Sequence, residues 1–216
     1  MIQELGRQHS ILNRFLAEIR DAEIQKDRMR FRRNLERIGE VMAYEISKRL
    51  PETTLDVTTP LGEANMVVPD GSPILATILR AGLPFHQGFL NYFDASDNAF
   101  VSAYRRYHKG GEFEIEVEYV SCPTIEGKDV IIIDPMLATG SSVECVYKAL
   151  RAFGTPRHVH IAAVIASNQG VNYVRKQLPE NITIWAAAID HELTAQAYIV
   201  PGLGDAGDLA FGSKEH

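Results

Sequence analysis

The stretch that most restricts what this chain can fold into is Lys128–Ser142, which reads Lys-Asp-Val-Ile-Ile-Ile-Asp-Pro-Met-Leu-Ala-Thr-Gly-Ser-Ser. Val130–Ile133 is an unbroken β-branched run with no polar face. Such a run is a strand covered on both sides, as in a parallel sheet sandwiched by helices. A loop of small residues follows, and a helical pattern opens at Ser142 and runs to Phe153. In an open parallel sheet, ligands bind beyond the carboxyl ends of the strands. Thr139-Gly140-Ser141-Ser142 supplies backbone N–H groups and hydroxyls at a helix N-terminus, a cradle for a monophosphate. Asp134 stands where a carboxylate can accept hydrogen bonds from two sugar hydroxyls, or hold a metal-bound water. The plainer alternative is that Asp134 ends a strand and Thr139 caps a helix. No lysine stands in the loop and GxxxxGK[ST] occurs nowhere, so a Walker-type triphosphate site is excluded.

The rest of the chain fits the same architecture. Asn65–Val68, Ile74–Leu79, Val159–Ala166 and Ile182–Ala187 read as strands, and Leu83–Phe93 and Gly170–Gln177 as helices. Ala99–Tyr107 and Glu112–Val120 read as the arms of a hairpin turning at Lys109-Gly110-Gly111. In the second arm Glu112, Glu114, Glu116 and Glu118 alternate with Phe113, Ile115, Val117 and Tyr119, a half-exposed strand. Ser10–Leu50 is helical in rhythm, with Phe31, Leu35, Ile38, Met42 and Ile46 on one face and Pro51 as the stop. Arg28, Arg30, Arg32, Arg33 and Arg37 sit among them, either an anion-binding patch or a solvated or subunit-facing helix side. The expected fold is α/β: one domain over 1–216, a mostly parallel twisted sheet flanked by helices. It carries an N-terminal helical extension (1–50) and a projecting hairpin lid (99–122).

Several classes of function fall away. With 22 Lys+Arg against 28 Asp+Glu the net charge is −6, unlike a nonspecific nucleic-acid binder. Cys122 and Cys145 lie far apart without a CxxC spacing, which argues against a disulfide framework or zinc ribbon and suits a reducing cytoplasm. His158, His160 and His191 have no partners at metal-site spacing, and no GxSxG elbow supports a hydrolase. The N-terminus lacks a signal pattern, and no apolar run approaches the ~20 residues of a membrane span. Gly202-Leu-Gly204-Asp-Ala-Gly207 matches GxGxxG, but so close to the end that no helix and second strand are expected to follow.

Three strings, in order, carry a family resemblance. Asp134-Pro135-Met136-Leu137-Ala138-Thr139-Gly140-Ser141-Ser142 resembles the phosphoribosyl-diphosphate loop of the uracil phosphoribosyltransferases. Ile74-Leu-Ala-Thr-Ile-Leu-Arg80-Ala-Gly-Leu resembles that family's second signature, and Tyr198–Gly212 its uracil-binding tail. The resemblance implies a type I phosphoribosyltransferase-like fold, with residues 190–212 as a base-binding hood. It implies the reaction uracil + 5-phospho-α-D-ribose 1-diphosphate → UMP + diphosphate, a step of pyrimidine salvage. It assigns residues 134–142, Arg80, Arg105 (Arg106 in the alternative register) and Asp205 to phosphoribosyl diphosphate, with Asp134, Arg105 and Asp205 in the catalytic role. It assigns Ile199, Gly204, Asp205 and Ala206 to uracil. It further implies Mg2+ carried by the diphosphate rather than by protein ligands, a homodimer or higher homo-oligomer, and GTP as a candidate effector. Neither nucleic acid nor membrane is expected as a partner. Ser141 departs from the family, which more often has a second glycine there. The alternatives are a pyrimidine-sensing RNA-binding regulator on the same fold, and a guanine or hypoxanthine transferase, which Pro135 after Asp134 disfavours.

Overall fold

The computed structural model describes residues 1–107 and 113–213; side chains of 104–107 and 113–116 lie outside the description. In chain order the elements are β1 (Ile2–Glu4), α1 (Ile11–Arg20), α2 (Arg28–Ser47), β2 (Glu52–Thr59), β3 (Gly62–Pro69), β4 (Ile74–Leu79), α3 (Gly82–Leu90), β5 (Asn98–Tyr107), β6 (Phe113–Ser121), β7 (Asp129–Ile133), β8 (Met136–Leu137), α4 (Ser141–Leu150), β9 (His158–Ser167), α5 (Asn168–Gln177), β10 (Ile182–Asp190), β11 (Glu192–Leu193), β12 (Ile199–Val200) and α6 (Ala206–Phe211).

The main sheet runs β1-β10-β9-β7-β4-β5-β6, with β8 beside the end of β9. Every pairing in it is parallel except β5 with β6. Both faces are covered, as the apolar runs require. On one face Leu75, Ile131, Ile133, Ala162, Val164 and Trp185 pack against Leu12, Leu16, Ile19, Phe31, Leu35 and Ile38 of α1 and α2 and Phe85 and Phe89 of α3. On the other, Ala76, Val130, Ile132, Ile161 and Ile184 meet Val143, Val146 and Leu150 of α4 and Val171 and Val174 of α5. The chain leaves β4 through α3 towards β5, and leaves β7 through α4 towards β9 on the opposite side. The connections therefore diverge between β4 and β7, and the crevice of the sheet opens at Leu79 and Ile133.

Several local readings are refined. The helical stretch 10–50 is two helices, broken at 21–27, and a short parallel strand, β1, precedes them on the edge of β10. Three residues are too few to show a period. The strand expected at Asn65–Val68 is longer and has an antiparallel partner, β2, so residues 52–69 form a second hairpin exposed along most of its length. In β6 the alternation breaks: the ladder skips Glu118, pairing Ser102 with Tyr119 and Ala103 with Val117. This bulge turns Tyr119 outward and Val120 towards the core, reversing the phase expected from the glutamates.

Of the arginines on α2, Arg28, Arg30 and Arg33 are exposed, as a solvated helix side expects, and among the described residues four of the five have protein partners. Arg30 and Arg14 bind the buried Glu18, which also accepts from Asn34 Nδ2 at 2.8 Å. Arg33 pairs with Glu36, and Arg37 lies over the Phe15 ring. Arg32 Nη1 donates to the Ala210 carbonyl at 2.7 Å, tying α2 to α6. Hydrogen bonds from Arg30, Asn34 and Arg14 hold the Glu18 carboxyl down at about 2, against the opposing effect of burial. A lowered carboxylate stabilises the fold fully above its ordinary pKa and loses that contribution as pH falls through its folded value. Glu18→Gln is therefore expected to cost about 1–3 kcal/mol at pH 7. In thermal unfolding followed by circular dichroism, the gap to the parent should narrow between about pH 4.5 and pH 2.

Candidate active site

At the crevice between β4 and β7 lies a cavity of about 430 Å³. Three separate chain segments wall it: Ile78–Ala81 at the end of β4, Asp134 with Met136–Gly140 after β7, and Tyr198–Ile199 with Gly204–Asp208 from the C-terminal tail. The 134–142 and 199–206 stretches thus face one space. Val143, Ala81 and Ala103 complete its apolar lining.

The loop after β7 is held from beneath. Asp134 N–H donates to the Ala162 carbonyl at 3.1 Å, and the Pro135 carbonyl accepts from the N–H groups of Val164 and Ile165. Met136 and Leu137 then form β8, pairing with Ile165 and Ala166. Gly140, with φ +86°, turns the chain into α4, and a methyl group on it would meet Tyr173, the Gly170 carbonyl and Val174. Glycine is required there by both backbone angle and space. Thr139 Oγ and Ser141 Oγ lie 3.0 Å apart at the start of α4. Asp134 accepts from Met136 N–H at 3.2 Å. Burial pushes its carboxyl up to about 7, and that single hydrogen bond offsets burial only in part.

The tail is clamped from outside the cavity. Arg20 makes a two-pronged ion pair with Asp190 at 2.8 Å and also donates to the Gly202 carbonyl; Asp190 in turn accepts from Gly202 N–H at 2.9 Å. The Val200–Pro201 and Leu79–Arg80 peptides are cis. Ile199 and Ala206 are buried, while Gly204 is exposed with φ +97°. Asp205 caps α6, accepting from Asp208 N–H at 2.9 Å, so a short helix opens within the GxGxxG string, and among the described residues no strand comes after it. Arg80 reaches across the crevice, where its Nη2 donates to Asp208 Oδ1 at 3.2 Å and to the Gly212 carbonyl at 3.0 Å.

Of the residues expected in a site, Arg80, Asp134, Met136, Leu137, Ala138, Thr139, Gly140, Ser142, Ile199, Gly204, Asp205 and Ala206 line this cavity. Pro135 stands apart, with its carbonyl turned to β9, and Ser141 is not among the lining residues, though its hydroxyl lies beside that of Thr139, which is. Arg105 and Arg106 have side chains outside the described residues. Sequence reasoning missed Asp208, the partner of Arg80; the only signal was the second aspartate of Gly-Asp-Ala-Gly-Asp. It also missed the Arg20–Asp190 clamp, which joins residues 170 positions apart.

A family model described as uracil phosphoribosyltransferase matches residues 6–213. The chain belongs to the uracil phosphoribosyltransferase family. A uracil phosphoribosyltransferase of Porphyromonas gingivalis is 62% identical over 210 residues, covering 97% of each chain. One from Pyrococcus furiosus is 39% identical over 200 residues, covering 91% of this chain and 84% of the relative. The solved structure of the AQ2163 protein from Aquifex aeolicus superposes with a TM-score of 0.87 at 27% identity, covering all of both chains.

The raised Asp134 carboxyl yields a test with a definite sign. A carboxyl whose folded pKa lies above its unfolded value favours folding while protonated, and that advantage is lost as pH rises from about 4 through about 7. Asp134→Asn should therefore raise the melting temperature more at pH 8 than at pH 5. Equal gains at both values would mean that the carboxyl is not held as described.

Proposed function

We propose that this chain transfers the 5-phosphoribosyl group from 5-phospho-α-D-ribose 1-diphosphate to N1 of uracil, releasing UMP and diphosphate. The observation that carries the reading is the shared cavity: a phosphate-type loop at a helix N-terminus and a glycine-rich tail face each other, with Arg80 between. The relatives' name supplies the substrates, and a cavity walled by both the loop and the tail supports the reading.

Thr139–Ser142 would hold the 5′-phosphate with backbone N–H groups and hydroxyls. Asp134, at the strand end, would accept from the ribose hydroxyls and so orient carbon 1. Arg80 would bind the leaving diphosphate. Its present partners, a carboxylate oxygen and a carbonyl, show that its donors already favour anionic and polar oxygens here. Ile199, Gly204 and Ala206 would read the flat edge of uracil by main-chain groups, with Asp205 between base and diphosphate. Arg105, on the β5 arm, belongs to the proposal through the family motif.

Among the described residues no three His, Cys, Asp or Glu side chains converge as a metal cage. The cavity does offer the oxygen donors Asp134 and Asp205. Such a sparse oxygen set fits Mg2+, which keeps several waters and binds mostly through substrate phosphates. When bound, Mg2+ would neutralise charge on the departing diphosphate. A homodimer or higher homo-oligomer is also proposed, and the exposed Leu55, Val57 and Met66, which share one face of the β2–β3 hairpin, support it. GTP as effector rests on the resemblance alone.

Protein, Mg2+, phosphoribosyl diphosphate and one nucleobase at a time should give UMP with uracil and negligible nucleotide with hypoxanthine or orotate. Nucleotide from hypoxanthine but not from uracil would overturn the reading. Arg80→Ala should raise the KM for phosphoribosyl diphosphate by at least about tenfold, the loss of a charge-assisted contact. In steady-state kinetics, an unchanged KM would remove Arg80 from the diphosphate role.

A further inference from the structure

We propose that Ser167, outside the cavity, is a positioning residue that aims the Thr139 amide of the phosphate loop; this rests on the function proposed above. Ser167 ends β9 and is fully buried. Its Oγ accepts from Gly170 N–H at 2.8 Å, capping α5. The hydroxyl proton is therefore free to donate, and it goes to the Ala138 carbonyl at 2.5 Å.

The location of that carbonyl gives the bond its consequence. The loop is held as a strand through Leu137, where the β8–β9 pairing ends. Ala138 is the first residue beyond that ladder, and Ser167 takes over where the backbone pairing stops. The carbonyl of Ala138 and the N–H of Thr139 belong to one peptide unit, and that unit is trans. In a trans peptide these two bonds point in opposite directions. Drawing the carbonyl inward to Ser167 turns the Thr139 N–H outward, and Thr139 lines the cavity. Gly170 guards the same geometry, because a methyl group on it would lie 2.4 Å from the Ala138 oxygen and 2.7 Å from the Leu137 oxygen. Without the Ser167 hydroxyl, the Ala138–Thr139 peptide is free to rotate, and the donor must be ordered at the expense of phosphate binding.

The test uses the full chain. Binding of phosphoribosyl diphosphate with Mg2+, without uracil, is measured by calorimetry, and KM values for both substrates by steady-state kinetics. Ser167→Ala should weaken phosphoribosyl diphosphate about fivefold to tenfold, the size of one lost hydrogen bond, and leave the KM for uracil within about twofold. Ser167→Cys, close in shape but a poor donor, should behave similarly and covers the case in which the alanine variant does not fold. Leu178→Ala, which removes a buried side chain at the far end of α5, should lower the melting temperature and leave phosphoribosyl diphosphate binding unchanged. Unaltered binding in the folded Ser167 variants would overturn the inference, as would equal weakening in Leu178→Ala. A parent protein that binds phosphoribosyl diphosphate but makes no UMP would overturn the proposed function instead. A parent that does not bind it overturns both.

Discussion

Two strands, Ile74–Leu79 and Asp129–Ile133, lie side by side in the middle of the sheet with both faces buried, and everything else depends on that. Neither strand can present a functional side chain from its middle, because helices cover it above and below. Chemistry is confined to the strand ends, and the ends that matter are those where the connections part. Arg80 and Asp134 are the first residues beyond those two strands. They stand at one crevice because β4 and β7 pair in parallel, with Ile133 opposite Thr77 and Arg80 two residues further along the crevice than Asp134.

The C-terminal tail buries Ile199, Leu203, Ala206 and Ala210 in the main core and is held in addition by ion pairs and hydrogen bonds from three directions. Arg20 and Asp190 fix its start, Arg32 holds Ala210, and Arg80 holds Asp208 and Gly212. Part-buried charged contacts of this kind are directional, so they set an orientation that apolar packing alone leaves loose. The arrangement links the two halves of the cavity through Arg80, which touches the tail while standing at the end of β4. Two of the arginines on α2 take part in this bracing from the surface, Arg30 through Glu18 of α1 and Arg32 through Ala210 of α6.

Much of this was legible from residues. Val130–Ile133 announces a doubly covered strand by its lack of a polar face, and Phe31, Leu35, Ile38, Met42 and Ile46 announce a helix face by spacing; all are buried. The cavity residues after β7 were legible because small residues between a strand and a helix have few other reasons to cluster. Other features were not legible. Tyr119 follows the alternation in sequence yet faces solvent, because a bulge is a property of the pairing between two strands. β2 was missed although Leu55 and Val57 alternate with Thr54, Asp56 and Thr58, because two apolar positions in an otherwise polar run are a weak period.

The sequence by itself determined the α/β class, the phosphate-type loop and the glycine-rich tail, since each rests on residues adjacent in the chain. Only the tertiary structure decided that loop and tail share one space, that Asp208 answers Arg80, and that Ser167 reaches Ala138. Those contacts join residues 128 and 29 positions apart. Local patterns carry no record of such meetings, because strand order and register, not neighbouring residues, bring the groups together.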